Sequence, residues 1–164
     1  MEHYRSWADL NRRLTDLLCE ELKGRLSYFL IRYHKVHNAY GRAAICLDKK
    51  ELVCFSWVEM YHQEADLHEI WKETGIWAPD DLNLKQKWDA DETYCDMDFL
   101  SAATSFLQMP VREALYSDNY IIQIFAILDR RIGKRTLCKM KENRVYQDHP
   151  SWVKQFYDLR SGMC

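Results

Sequence analysis

The chain has 164 residues, 48% of them hydrophobic and 29% charged, with a formal net charge of −2. That length and balance fit one globular domain over residues 1–164 with a substantial core, and they exclude fibrous and disordered chains. No apolar run nears the roughly 20 residues of a membrane-spanning helix, and Met1-Glu2-His3-Tyr4-Arg5-Ser6 lacks the order of a secretion signal, so the expected setting is cytoplasmic.

The period of the apolar residues changes near Tyr61. Before it they alternate in short runs, as strands require, and after it they recur every three or four residues, as helices require. The first element is a helix capped by Ser6. Its apolar stripe is Trp7, Leu10, Leu14, Leu17, Leu18 and Leu22, and Gly24 supplies a left-handed terminator. Leu26 to Val36 reads as a strand, followed by a turn at His37-Asn38-Ala39-Tyr40-Gly41. Ala43 to Leu47 and Leu52 to Met60 form a hairpin around Asp48-Lys49-Lys50-Glu51. With Lys49 and Lys50 in the turn, Ile45 opposes Cys54 and Leu47 opposes Leu52. Ala43, Ile45, Leu47, Leu52, Cys54 and Val58 then share one face, and Val53, Phe55 and Trp57 the other. Both faces are apolar, so later helices are expected to cover the second one.

Glu64 to Thr74 follows as a short amphipathic helix, and Ile76 to Asp91 is irregular. Asp96 or Asp98 caps a helix over Phe99 to Leu107, and Pro110 suits a first helical position. Ser117-Asp118-Asn119 opens the most hydrophobic helix, Ile121 to Leu128, which should be buried and which Gly133 breaks or bends. Lys134 to Glu142 and Ser151 to Leu159 complete the series. Phe99 to Leu115 and Ile121 to Leu137 superpose at a 22-residue offset, each as helix, joint, helix. The expected fold is α+β: an N-terminal helix and a three-stranded antiparallel meander (residues 1–61), covered by a C-terminal array of five or six helices (residues 62–164). Six Trp, ten Tyr and six Phe favour a core built on large rings over a stacking surface.

Known chemistries fail against this sequence. The run Asp89-Ala90-Asp91-Glu92-Thr93 resembles a calcium loop, but Tyr94 stands where Gly is needed and Leu100 where Glu is needed. His34 and His37 lie on a strand and its turn, where residues three apart face opposite sides, so no metal site is expected. The six cysteines include no Cys-x-x-Cys pair and read as free thiols packed as small hydrophobes. No Gly-x-Ser-x-Gly elbow, P-loop or dinucleotide fingerprint occurs, and five glycines leave little room for a phosphate-cradling loop. No cofactor and no catalytic residue is expected.

Two constellations remain. His37, Asn38, Tyr40 and Arg42 gather hydrogen-bonding groups at one turn, either as a ligand site or as a structural turn. Arg130, Arg131, Lys134 and Arg135 cluster at a helix joint, with Arg131, Arg135 and Lys139 one turn apart on a continuous helix. They either stabilise a helix C-terminus or form a site for an anion or an acidic partner. Residues 62–98 hold eleven acids against three bases, and residues 129–144 seven bases against two acids. That segregation reads as intramolecular complementarity or as separate partner-binding faces. A pI near 6.3 argues against a dedicated nucleic-acid binder.

Three segments carry a resemblance: His37-Asn38-Ala39-Tyr40-Gly41-Arg42-Ala43-Ala44, Phe55-Ser56-Trp57-Val58-Glu59-Met60-Tyr61, and Leu128-Asp129-Arg130-Arg131-Ile132-Gly133-Lys134-Arg135-Thr136-Leu137. With them the chain resembles, over nearly its whole length, a family of small uncharacterised bacterial proteins. The resemblance implies a bacterial cytoplasmic setting and carries over no activity, cofactor, partner or catalytic residue. The leading functional expectation is a non-catalytic protein-binding or regulatory protein. A nucleic-acid-associated protein using residues 130–135 is the alternative, and an enzyme with an unfamiliar site comes third.

Overall fold

A computed structural model of the chain describes residues 6–32, 41–56 and 94–162. The helix expected over Glu64 to Thr74 and the irregular stretch 76–91 lie outside the described residues, as do His34, His37, Asn38, Tyr40, Trp57 and Val58.

Helix α1 (Trp7–Leu17) starts where expected, with the Ser6 hydroxyl accepting the Asp9 N–H. It stops sooner than its apolar stripe implies. Leu18 and Cys19 leave the helix to pair with the chain at Asp129: Cys19 N–H donates to the Leu128 carbonyl at 3.1 Å, and Arg130 N–H to the Leu17 carbonyl at 2.8 Å. Tertiary backbone bonds replace the last helical turn, and Leu18 and Leu22 stay buried all the same. Gly24 has φ +76°, the left-handed conformation its position suggested.

The sheet has the order β1-β2-β3, with β1 (Leu26–Arg32), β2 (Gly41–Leu47) and β3 (Lys50–Ser56) all antiparallel. The hairpin register differs from expectation. Asp48 and Lys49 form the turn, both with positive φ, and Leu47 pairs with Lys50. An irregularity between Ile45 and Cys46 absorbs one residue, so Ile45 opposes Val53 and Ala43 opposes Phe55. Leu26, Tyr28, Ala43, Ile45 and Phe55 are buried in the core. Phe55 thus belongs to the core face, and Cys54, opposite Ala44, to the other. That other face is covered at Ala44 and Ser56, yet it leaves Phe29 (41%) and Ile31 (37%) exposed on β1.

Six helices follow among the described residues: α2 (Asp96–Phe106), α3 (Val111–Leu115), α4 (Tyr120–Leu128), α5 (Lys134–Lys141), α6 (Arg144–Asp148) and α7 (Ser151–Ser161). The fold is α+β, a helix and a three-stranded antiparallel sheet followed by helices. Cys95 holds the N-cap position of α2, and Asp98 acts from inside the first turn by accepting the Cys95 N–H at 2.7 Å. Pro110 sits one residue before α3, at its N-cap. Asn119 caps α4 by accepting from the Ile121 and Ile122 N–H groups.

Helix α4 is buried from Ile121 to Leu128 and packs on α2, α3 and α7. Phe99 of α2 joins the two halves of the core. Its ring lies 5.8 Å from Trp7, 5.7 Å from Phe55 and 5.4 Å from Phe125, centroid to centroid, linking α1, β3 and α4. The sheet also meets α2 through Gly41, where a Cβ would overlap the buried Asp96 carboxylate, so this approach requires glycine.

Candidate functional site

The basic segment is organised by two groups that periodicity reads as solvated charges. Helix α4 ends at Leu128, and Asp129 is its C-cap. The Asp129 carboxylate is fully buried. It accepts the Arg131 backbone N–H at 2.8 Å, Arg131 Nε at 2.9 Å and Arg131 Nη2 at 2.6 Å. That pairing holds the Arg131 guanidinium charged and raises its pKa. From α7, the buried Arg160 donates through Nη1 to the Ile127 carbonyl at 3.0 Å and through Nη2 to the Ile132 carbonyl at 2.6 Å. A cation therefore sits at the negative end of α4, where it satisfies the Ile127 carbonyl of the last turn and the Ile132 carbonyl of the turn beyond it. With Ile132 buried and the Arg130 N–H tied to Leu17, the turn 129–133 is fixed on three sides.

Only part of the predicted cluster shares one environment. Arg131 is absorbed by Asp129 and is not on a helix, so it is not aligned with Arg135 and Lys139. Lys134 and Arg135 open α5 and so occupy the first turn of a helix rather than the last. Stabilisation of a helix C-terminus does not explain them, because cations at an N-terminus oppose the macrodipole. Lys134 pairs with Glu21 at 2.6 Å, with both side chains more than half exposed, and this pairing pulls the Glu21 carboxyl below its usual range. Arg130 and Arg135 are exposed and have no ion-pair partner among the described residues. Gly133, the N-cap of α5, offers no side chain to the first-turn N–H groups. The result is a turn that presents two exposed guanidiniums near an uncapped helix start, with Arg130 also within the field of Glu20.

The other predicted constellation does not come together among the described residues. Arg42 lies on β2 in an ion pair with Glu51, which places it in the sheet. His37, Asn38 and Tyr40 are outside the described residues.

The sequence reading passed over three buried polar groups: Gln123, His149 and Arg160. The only signal for Gln123 is one amide inside the run Ile121-Ile122-Gln123-Ile124-Phe125. Thiol chemistry has no support. Cys19, Cys46, Cys54 and Cys95 are outside any disulfide, but burial pushes the Cys46 thiol up and the Cys95 thiol up to about 12, far from a nucleophilic thiolate. Cys138 is disulfide-bonded, so the free-thiol expectation fails there. Among the described residues no group of three or more His, Cys, Asp or Glu could hold a metal ion, and no helix is long and apolar enough to cross a membrane. An open cleft of about 490 Å³ lies between α1 and the β2–β3 turn, lined by Asn11, Thr15, Ser27 and Lys49 and bordered by the Arg25–Asp48 ion pair. Its side chains include no nucleophile paired with a base.

Comparison with known proteins gives one match. The model of the SF0329 protein family matches residues 6–161. The chain belongs to the SF0329 protein family. The matched span runs from the cap of α1 to the end of α7, so the fixed turn 129–133 and the uncapped start of α5 both lie within it. No curated protein and no solved structure matches the chain.

Proposed function

We propose that this member of the SF0329 protein family is a non-catalytic protein-binding or regulatory protein that meets an acidic surface of its partner through Arg130 and Arg135. The observation behind this is their setting: two exposed guanidiniums with no salt bridge among the described residues, Arg135 in the first turn of α5, where a cation is disfavoured by about 0.3–1 kcal/mol. Among the described residues folding gives Arg135 no carboxylate and gives Arg130 only the field of Glu20, which Lys23 already pairs, whereas an acidic partner would gain both charges and the N–H groups at the start of α5. A bacterial cytoplasmic setting goes with this reading; four cysteines outside any disulfide suit it, and the disulfide at Cys138 weighs against it.

One observation favours a nucleic-acid partner as the second reading. Uncapped N–H groups flanked by bases also suit a phosphate, although the overall charge of −2 opposes it. Fluorescence anisotropy with a labelled Glu-rich peptide and a labelled single-stranded oligonucleotide, between about 50 and 200 mM salt, separates the two. The peptide should bind, and Arg130→Glu with Arg135→Glu should weaken it by about tenfold or more. Preferential binding of the oligonucleotide with a steep salt slope transfers the assignment to nucleic acid. Binding of neither probe removes the basic face from the account.

A further inference from the structure

The imidazole of His149, at the joint between α6 and α7, is buried among hydrogen-bond acceptors. Its Nδ1 faces the Val145 carbonyl, and its Nε2 faces Gln123 Oε1 at 2.8 Å. The Gln123 amide cannot be turned round to relieve this. Its Nε2 donates to the Ser117 carbonyl at 2.7 Å, and a carbonyl only accepts. Two main-chain carbonyls therefore fix the direction of every bond in the chain Ser117–Gln123–His149–Val145. All three bonds are made only when both ring nitrogens carry protons. A neutral imidazole turns one of its two contacts into lone pair against lone pair.

We propose that His149 is a pH-sensitive latch, charged when closed, that holds α6 and its link into α7 against α4 through Gln123. Charge suits the place. His149 is the C-cap residue of α6, where its backbone N–H donates to the Tyr146 carbonyl and its ring to the Val145 carbonyl, so a positive imidazolium lies at the negative end of that helix.

The ionisable side chains whose rings meet the imidazole are phenols, and the charges of Lys141, Lys154 and Asp158 gather beyond them on Tyr146. Tyr120 of α4 lies 5.2 Å from the imidazole and Tyr157 of α7 5.9 Å, ring centre to ring centre, and Tyr146 of α6 packs on Tyr157. Burial keeps Tyr157 protonated to about 12, and burial with Asp158 raises Tyr146, so neither titrates alongside a histidine. Tyr116, the C-cap residue of α3, acts on Tyr157 in the same direction as burial. Among the described residues no carboxylate bonds to the imidazole. The latch is closed while His149 is charged, and it opens as rising pH removes the proton.

Nitrogen NMR of the full chain across about pH 5 to 8.5 tests this. At the acid end both ring nitrogens of His149 should read as protonated and the Gln123 side-chain amide protons should exchange slowly. As His149 loses its proton, Gln123 exchange should quicken by about tenfold in the same titration. Gln123→Glu supplies a charged acceptor and should move the His149 midpoint up by about one pH unit or more. A single neutral tautomer at the acid end overturns the proposal. So does Gln123 exchange that stays flat through the titration, or a folded Gln123→Glu chain with an unmoved midpoint. Should Gln123→Glu fail to fold, the titration of the natural chain decides alone.

Discussion

Asp129 and Arg131 form a two-residue fork in which the acid is fully buried and the base is about half exposed, at 47%. The asymmetry decides what each residue is worth. Asp129 gathers the backbone N–H and the guanidinium of Arg131 at a point where water cannot replace them. Its removal leaves donors unpaired beside the core. Asp129→Ala should cost about 2–3 kcal/mol. Arg131→Lys keeps the charge but loses the planar fork, and should cost about 1 kcal/mol. Urea denaturation of the two variants measures both. Equal, negligible losses would show that the turn 129–133 does not depend on the fork.

Arg160 acts on the same turn from the opposite side. Arg160→Met preserves most of the buried stem but leaves the Ile127 and Ile132 carbonyls without their donors. A loss of about 2–3 kcal/mol is expected from two charged hydrogen bonds in a buried site. Hydrogen exchange should quicken at residues 128–133 ahead of the rest of α4, because the clamp spans that junction. Exchange that rises uniformly over the molecule would contradict a local role.

Alkaline pH should destabilise the fold in a definite order. Burial raises Cys95 from its ordinary 9.0 to about 12 and Tyr157 from 10.0 to about 12, and it pushes Tyr28 up further. The native state favours the protonated form of each group, so the unfolded chain releases its protons first as pH rises. Their contribution is complete below about pH 9 and is lost from there to about pH 12, Cys95 first and the tyrosines from about pH 10. Denaturation midpoints taken from pH 7 upward should fall beyond about pH 9, and Cys95→Ser should flatten the earliest part of the decline. A midpoint constant to pH 11 would contradict the burial of these groups.

Much of the layout was legible in the residues. Helix α4 announces itself because Ile121 to Leu128 is apolar almost throughout, and Ser6 and Asn119 cap their helices as their chemistry suggests. The hairpin register was not legible. Asp48 and Lys49 both take positive φ without the Asn-Gly or Asp-Gly pair that signals such a turn. The irregularity after Ile45 then shifts every later pairing by one residue, which exchanges the faces of Cys54 and Phe55. The end of α1 was hidden for a different reason. Leu18 and Leu22 continue the helical stripe, and only the Cys19 N–H bond to the Leu128 carbonyl and the Arg130 N–H bond to the Leu17 carbonyl end it.

The basic segment was found, but its internal division was not. Asp129, Arg131 and Arg160 have the composition of a solvated face, and nothing local marks two of them as buried. A partner more than 25 residues away, Arg160, holds the Ile127 and Ile132 carbonyls. Such long-range pairing leaves no periodic trace in a single sequence.

Amide and arginine side-chain NMR of the full chain, titrated with a Glu-rich peptide, tests the acidic-partner reading most directly. Shifts should concentrate on Arg130 and Arg135 Nε and on the backbone N–H groups of Gly133, Lys134 and Arg135, and they should fade as salt rises through about 0.2 M. Shifts gathered elsewhere on the surface, or none at saturating peptide, would contradict it.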